Sequence, residues 1–326
     1  MNDNWQSFLD SHEEANFLQS SLWAETNRLI GHKIIVEHLP GDVYCLMIVK
    51  NAKRGRFLEI PGGPLLDWSD RQLVKECFSR IKQIAKDHKC VFVRFRPQLL
   101  DTPDNRAILS AINAKPAAMH LHAQNTIIID LDKSEDDLLT AMRRQTRYEV
   151  RHADKLKITI EKHSSEAIFR EFHQVQIDTA NHQHFIPPDL KTLLAEHEAF
   201  GDNAKIYIAK TADGQPIAYG LILSQGKEAA YFEAASTDLN HKLPGSYAIL
   251  WAAIKDAKAA GCERFNLWGI APPNSKNHRY AGVTTFKSGF GGKVVNFIPA
   301  HDLVISKLKY SINYLVETTR KKRRHL

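Results

Sequence analysis

The sequence predicts an α+β protein of two successive units. Three observations carry that reading. The chain has 326 residues, about twice the ~150 of a typical domain. Apolar runs of strand length alternate with longer segments of helical periodicity. That alternation restarts near residue 131, giving two loosely similar stretches of ~130 to 160 residues. Hairpin signals between neighbouring strands favour antiparallel-rich sheets over a doubly wound parallel sheet.

In the first stretch, residues 33–37 and 43–50 read as strands on either side of the turn Pro40-Gly41-Asp42. Residues 57–60 form a third. It runs into Pro61-Gly62-Gly63-Pro64, expected to be loop because proline lacks the N–H that a central strand uses. Residues 69–88 place Leu73, Cys77, Ile81 and Ile84 at helical spacing, with Ser69 as the expected N-cap. A strand over 90–95, a helix over 103–113 and a strong β run over 125–131 follow. In the second stretch, 134–154 reads as one helix opened by Ser134 and Asp137. Then come a strand over 157–161 and helices over 165–180 and 189–200. Strands 205–210 and 216–225 flank Asp213-Gly214. A strand over 229–235, a helix over 245–260 and a strand over 265–268 complete it, and 301–324 closes the chain as a long helix with an apolar stripe and a basic end.

Composition narrows the function classes. Hydrophobic residues are 43% and charged residues 25%, ordinary globular usage that argues against long disorder. Cys45, Cys77, Cys90 and Cys262 are scattered without a C-x-x-C pair. This excludes a disulfide scaffold or thiolate zinc site by spacing and fits a cytoplasmic setting. No apolar run reaches the ~20 residues of a membrane span, and the N-terminus has no signal-peptide pattern. The net charge is +7, of which Arg320, Lys321, Lys322, Arg323 and Arg324 supply five. So the positive charge is local. Such a cluster suits a phosphate backbone or an anionic membrane, and equally a solvated helix end, where cations complement the dipole.

Four segments carry candidate chemistry. Lys242-Leu243-Pro244-Gly245-Ser246 opens a helix after a strand, the place where backbone amides hold an anion, although Pro244 removes one donor. This placement resembles the coenzyme A pyrophosphate loop of GNAT acyltransferases, with fewer glycines; a plain turn and helix start explains it as well. Phe286-Lys287 stands before Ser288-Gly289-Phe290-Gly291-Gly292. Glycines at 282, 289, 291 and 292 would let backbone approach a ligand, and the lysine would meet an oxyanion or phosphate; an aromatic–glycine turn with a surface lysine is the plainer reading. Arg143, Arg147 and Arg151, spaced four apart, would form one cationic stripe for phosphates, or a solvated face with Glu149 and Asp154. His182-Gln183-His184 reads as a solvated loop rather than metal ligands, and Cys262 as packing.

Together these pieces resemble the FemABX family of aminoacyl-tRNA-dependent peptidoglycan transferases. The matching residues are Phe17-Leu18-Gln19-Ser20 with Trp23, Gly63-Pro64, Arg94-Phe95-x-Pro97, Thr146-Arg147-Tyr148-x-Val150-Arg151-x-Ala153, Tyr231-Phe232-x-Ala234-Ala235-Ser236, Trp268-Gly269-Ile270 and Phe286-Lys287-Ser288-Gly289-Phe290-Gly291-Gly292. The last is the most specific. The resemblance implies two GNAT-like domains, residues 1–130 with 300–326 and residues 131–299, with a C-terminal helix returning to the first. No long helical hairpin for tRNA fits between the strands of the second.

What the resemblance implies chemically is transfer of an aminoacyl group from tRNA, a co-substrate, to an amine of a lipid-linked or nucleotide-linked peptidoglycan precursor, with no metal or redox cofactor. Lys287 would stabilise the oxyanion. Phe286, Arg143, Arg147 and Arg151 would hold the donor, and Tyr231, Trp268, Gly269 and Trp23 the acceptor. The basic tail would touch tRNA or an anionic membrane from the cytoplasmic side. Departures from the family gather on the acceptor side: Glu25, Arg96, Pro188, Thr192 and Glu233 replace the residues it uses there. Glu233 would serve as base for the attacking amine. The alternative function is a GNAT-type N-acyltransferase drawing on an acyl-coenzyme A or acyl-carrier-protein donor; a non-catalytic RNA or membrane-surface binder is the third.

Overall fold

A computed structural model describes residues 3–119, 122–183, 187–273, 275 and 278–323. It divides into two compact units, Met1–Gln124 with Asn296–Leu326, and Asn125–Val295. The first unit contains α1 (Asp3–Asp10), α2 (Ser21–Leu29), β1 (Lys33–Leu39), β2 (Val43–Ala52), β3 (Gly55–Gly62), α3 (Arg71–Asp87), β4 (Cys90–Pro97), α4 (Pro103–Ala111) and β5 (Lys115–Pro116). The second contains β6 (Asn125–Asp130), α5 (Glu135–Ala141), α6 (Arg144–Lys155), β7 (Thr159–His163), α7 (Glu166–Gln183), α8 (Leu190–Phe200), β8 (Ala204–Lys210), β9 (Pro216–Gln225), β10 (Glu228–Ser236), α9 (Gly245–Ala259), β11 (Arg264–Asn266), α10 (Ala281–Ser288) and β12 (Lys293–Asn296). The chain then re-enters the first unit with β13 (His301–Val304) and α11 (Lys307–Arg323).

The α+β class stands. Among the described residues one sheet runs β1-β2-β3-β4-β13-β5 and the other β12-β6-β11-β10-β9-β8-β7. Only β3–β4 and β10–β11 pair in parallel among the ladders with assigned direction. In the first unit Leu58, Ile60, Val93 and Phe95 pack against Phe78 and Ile81 of α3. In the second, Ile127, Ile129, Ile217 and Ile222 pack against Ile249, Leu250 and Ile254 of α9. Each alternating strand thus supplies an apolar face that a helix covers.

Several expectations are corrected. The boundary lies at 124/125 rather than 130/131, because β6 pairs with β11 inside the second sheet. It lies at 295/296 rather than 299/300, because the Asp101 amide donates to the Asn296 carbonyl and the Ile298 amide to the Leu99 carbonyl. α3 is capped by Asp70, whose carboxylate accepts from the Gln72 and Leu73 amides; Ser69 instead hydrogen-bonds Asp67. The long closing helix is a strand followed by a helix: β13 inserts beside β4, with Asp302 opposite Arg94. The expected helix over 134–154 breaks at Met142 and Arg143, both extended, into α5 and α6.

Pro61 and Gly62, expected in a loop, continue β3 and pair with Arg96 and Pro97 of β4. On the other edge the β2 ladder stops at Glu59, and the Gln19 side chain fills the gap. Its amide nitrogen donates to the carbonyls of Pro61 (2.6 Å) and Leu46 (3.2 Å), and its oxygen accepts from the Leu46 amide (2.9 Å). A side chain here stands in for a strand residue. Gln19→Leu leaves those buried groups unsatisfied and is expected to cost about 2–3 kcal/mol, read as a lower urea midpoint with an unchanged slope.

Candidate active site

Lys287 lies in the last turn of α10, not in a bend. Gly289, Gly291 and Gly292 serve packing, while Gly282 stands in open space. A Cβ at Gly289 would fall 2.0 Å from Thr146 Oγ1, and one at Gly292 (φ +84°) would fall 2.6 Å from the Ile128 carbonyl oxygen. They bring the end of α10 against α6 and β6, so the close backbone approach is to the protein itself.

This placement buries Lys287, 7% exposed, in the core side of the second unit. Its Nζ donates to the Gly269 carbonyl (2.9 Å) and lies 5.7 Å from the centre of the Tyr231 ring. No carboxylate pairs with it among the described residues. Burial therefore pulls the ammonium down to about 7, and pushes the Tyr231 phenol up.

The carbonyl that receives Lys287 is aimed by a strained loop. Trp268 has φ +59°, the left-handed region a non-glycine residue enters at a cost of roughly 1–2 kcal/mol. Asn266, buried at the end of β11, holds it there: its Oδ1 accepts from the Trp268 amide (2.9 Å) and from the Thr126 hydroxyl (2.5 Å), while its Nδ2 donates to Glu228 (3.2 Å). The Trp268 ring meets Phe232 edge-on at 5.4 Å. The Ala271 amide donates to Thr284 Oγ1 (2.8 Å), fastening the loop to α10. A desolvated lysine, a strained aromatic residue and the carbonyl of Gly269 thus meet at one spot, the kind of perturbed group that marks a candidate site.

Glu233 does not join this group. Tyr231 pairs with Ile222 but Glu233 with Leu221, so the ladder slips by one residue at Phe232. Ladder partners share a face and adjacent residues alternate. Tyr231 therefore faces the α9 core while Glu233 faces α7, where Gln176 Nε2 donates to its Oε2 (2.6 Å). The base role expected for Glu233 beside Lys287 is not supported by this geometry. Glu233 instead neighbours Glu196, a buried residue of α8 that the sequence reading missed. The sequence carried a hint: Glu196 sits in the apolar stripe Leu193, Glu196, Phe200.

Burial pushes Glu233 up to about 7, and burial with the Glu233 charge pushes Glu196 well above the usual range. A carboxyl whose folded pKa is raised binds its proton more tightly in the native chain. Stability then falls as pH rises from the ordinary 4.5 through about 7. Glu196→Gln is expected to be more stable than the parent by about 1–3 kcal/mol at pH 8, with the gap closing near pH 4. Urea unfolding at both pH values checks this; an equal gap at both contradicts it.

The other expected residues are placed as follows. Phe286 is clamped between Tyr247 (4.9 Å) and Phe290 (5.4 Å). Of the arginine stripe, Arg147 and Arg151 fall four apart within α6: Arg143 is the extended N-cap of that helix, Arg147 donates to the Leu139, Thr140 and Met142 carbonyls that end α5, and Arg151 is exposed. Trp23 is buried in the first unit against Phe17 and His122. There too, Glu25 pairs with Arg28, and buried Arg96 donates to Gln98 (2.9 Å) and lies over Phe297. Pro188 precedes the Asp189 cap of α8, where the Thr192 amide donates. At the start of α9, Asn240 Oδ1 already accepts from the Ser246 amide, and a Cβ at Gly245 would strike Ile217 at 2.5 Å, so packing accounts for that glycine. His184 and Arg324 lie outside the described residues, among which no three metal-ligating side chains cluster.

Residues 1–119 and 190–318 match the model of the FemAB family. The chain belongs to the FemAB family. This FemAB protein is 25% identical over 234 residues to a lipid II:glycine glycyltransferase of Staphylococcus aureus. That match takes in 67% of the chain and 55% of the relative, so the chain spans just over half the length of the curated relatives it matches. The crystal structure of FemX superposes with a TM-score of 0.84 over 96% of this chain and 98% of that one, at 17% identity. The C-terminal domain of a putative lysylphosphatidylglycerol synthetase from Agrobacterium fabrum gives 0.60 over 96% and 95%, at 12% identity. At these identities the likeness establishes the fold of the FemAB chain.

Proposed function

We propose that the chain is an amide-forming acyltransferase that moves an aminoacyl group from tRNA to a primary amine of a peptidoglycan precursor. The observation that carries this is Lys287, buried with no carboxylate partner among the described residues and held against the turn at Trp268 and Gly269. Membership of the FemAB family and the lipid II:glycine glycyltransferase relative support the acceptor class.

In the proposed reaction a neutral amine attacks the ester carbonyl carbon. A C–N bond forms and the carbonyl oxygen takes up negative charge. Collapse breaks the C–O bond to the tRNA ribose, and the proton lost by the amine ends on that leaving oxygen. Lys287 meets the charge at the oxyanion stage. Because burial leaves its ammonium near half-ionised at pH 7, an arriving negative charge raises its proton affinity most when that charge is largest. The interaction is therefore stronger in the transition state than in the ground state, as catalysis requires. The chemistry so written runs on side chains and co-substrate alone.

A thioester donor is the competing reading. The filled start of α9 leaves its glycine and first amides engaged within the protein, which favours tRNA over coenzyme A. The test supplies radiolabelled aminoacyl-tRNA or the matching aminoacyl thioester, with lipid-linked and nucleotide-linked precursors as acceptors. Label passing from tRNA to a precursor is expected. Label passing only from the thioester overturns the donor assignment, and none from either overturns the reading.

A further inference from the structure

We propose that the outward face of α11 docks the protein on an anionic lipid bilayer. The helix has two unlike faces. Its inner face is fastened to the first sheet: the Tyr310 hydroxyl donates to Asp302 (3.2 Å), Arg54 donates to Asn313 (2.9 Å), and Arg94 donates to Glu317 (2.8 Å). The outer face presents Leu308, Ile312 and Leu315, which are 76%, 53% and 67% exposed. Their spacing of four and three puts them on one stripe. These contacts fasten the inner face, and the stripe stays largely in solvent.

Charge selects the occupant. Lys307, Lys309 and Arg320 of α11 are exposed, and in sequence Lys321, Lys322, Arg323 and Arg324 follow. Glu317 is the helix's one carboxylate, and it is turned inward to Arg94. The outer surface therefore combines exposed leucine-type side chains with cations. An anionic bilayer answers both at once, taking the apolar stripe into its interfacial zone and the cations against its headgroups. Nucleic acid would answer the cations but leave the stripe in water, and a second copy of this face would answer the stripe but set cation against cation. No helix among the described residues is long and apolar enough to cross a membrane, so the contact lies on the surface. This inference does not rest on the acyl-transfer reading, since binding is measured without turnover.

The test is co-sedimentation of the full chain with phosphatidylglycerol–phosphatidylcholine vesicles and with pure phosphatidylcholine vesicles. Binding to the anionic vesicles alone is expected, weakened by salt. The triple variant L308E/I312E/L315E, which alters exposed side chains, should keep its circular dichroism and lose on the order of tenfold in vesicle affinity. Absence of binding overturns the proposal, as does binding that the triple variant leaves unchanged. Retention of RNA but not vesicles assigns the surface to nucleic acid instead. A dimer that the triple variant converts to monomer, without vesicle binding, assigns it to a second copy.

Discussion

Replacing Lys287 with methionine is expected to lower aminoacyl transfer by roughly 10²- to 10³-fold, the usual effect of removing one donor to an oxyanion. The fold should survive. Methionine matches the length of the buried stem, and the change removes a charge that burial disfavours. The stability effect has a definite pH dependence. The native lysine titrates near 7 and the unfolded one near the ordinary 10.5. Between those values the unfolded chain binds more protons, so the parent protein gains stability as pH rises. The variant lacks that slope. Its thermal midpoint should exceed the parent's below pH 7, and the two should converge by about pH 10. Activity lost together with stability would mean that Lys287 is structural and not catalytic.

Arg94→Met is expected to be the most destabilising single change in the first unit. Arg94 is buried on β4 and forks onto both oxygens of Asp302 (2.8 Å each), then reaches Glu317 (2.8 Å). Burial pushes the Asp302 carboxyl up despite that fork, and the neighbouring Glu317 charge adds to the rise. Removing the cation leaves Asp302, fully buried, without its partner, at a cost of about 3–5 kcal/mol. It also removes one of the contacts that fasten α11, the one at Glu317. The double variant R94M/D302L should recover much of the loss, since replacing a whole buried pair by apolar groups is often neutral. Urea unfolding of the three variants in a cycle measures the coupling.

These residues show how far the sequence could be read. β2, β4, β6, β9 and β10 were legible because period-two or continuous apolar runs have few other homes, and α3 and α9 because their apolar stripes repeat at helical spacing. β13 was not. Four residues with a charged Asp302 at their centre carry no strand pattern, and only the pairing with Arg94 explains the burial. α10 was hidden as well: Val283, Thr284 and Thr285 are β-branched and glycines stand at both ends, so local propensity opposed the helix that packing imposed. Gln19 could not be read at all, because a side chain replacing a strand has no periodicity. At the site, Lys287, Tyr231, Trp268 and Gly269 were picked from motif likeness and lie together. Glu233, a departure from that likeness, faces the other side of its sheet, across a one-residue bulge at Phe232 that leaves no mark in the sequence. Of the arginine stripe, the break at Met142 and Arg143 took Arg143 out of the helix, leaving Arg147 and Arg151 four apart within α6.

The central claim is that Lys287 is a desolvated amine, with no carboxylate partner among the described residues, poised for negative charge. The most direct measurement is the pH titration of its side-chain ¹³Cε resonance by NMR, assigned by difference against Lys287→Met. The account predicts a midpoint near 7. A midpoint at the ordinary lysine value of 10.5 would contradict it.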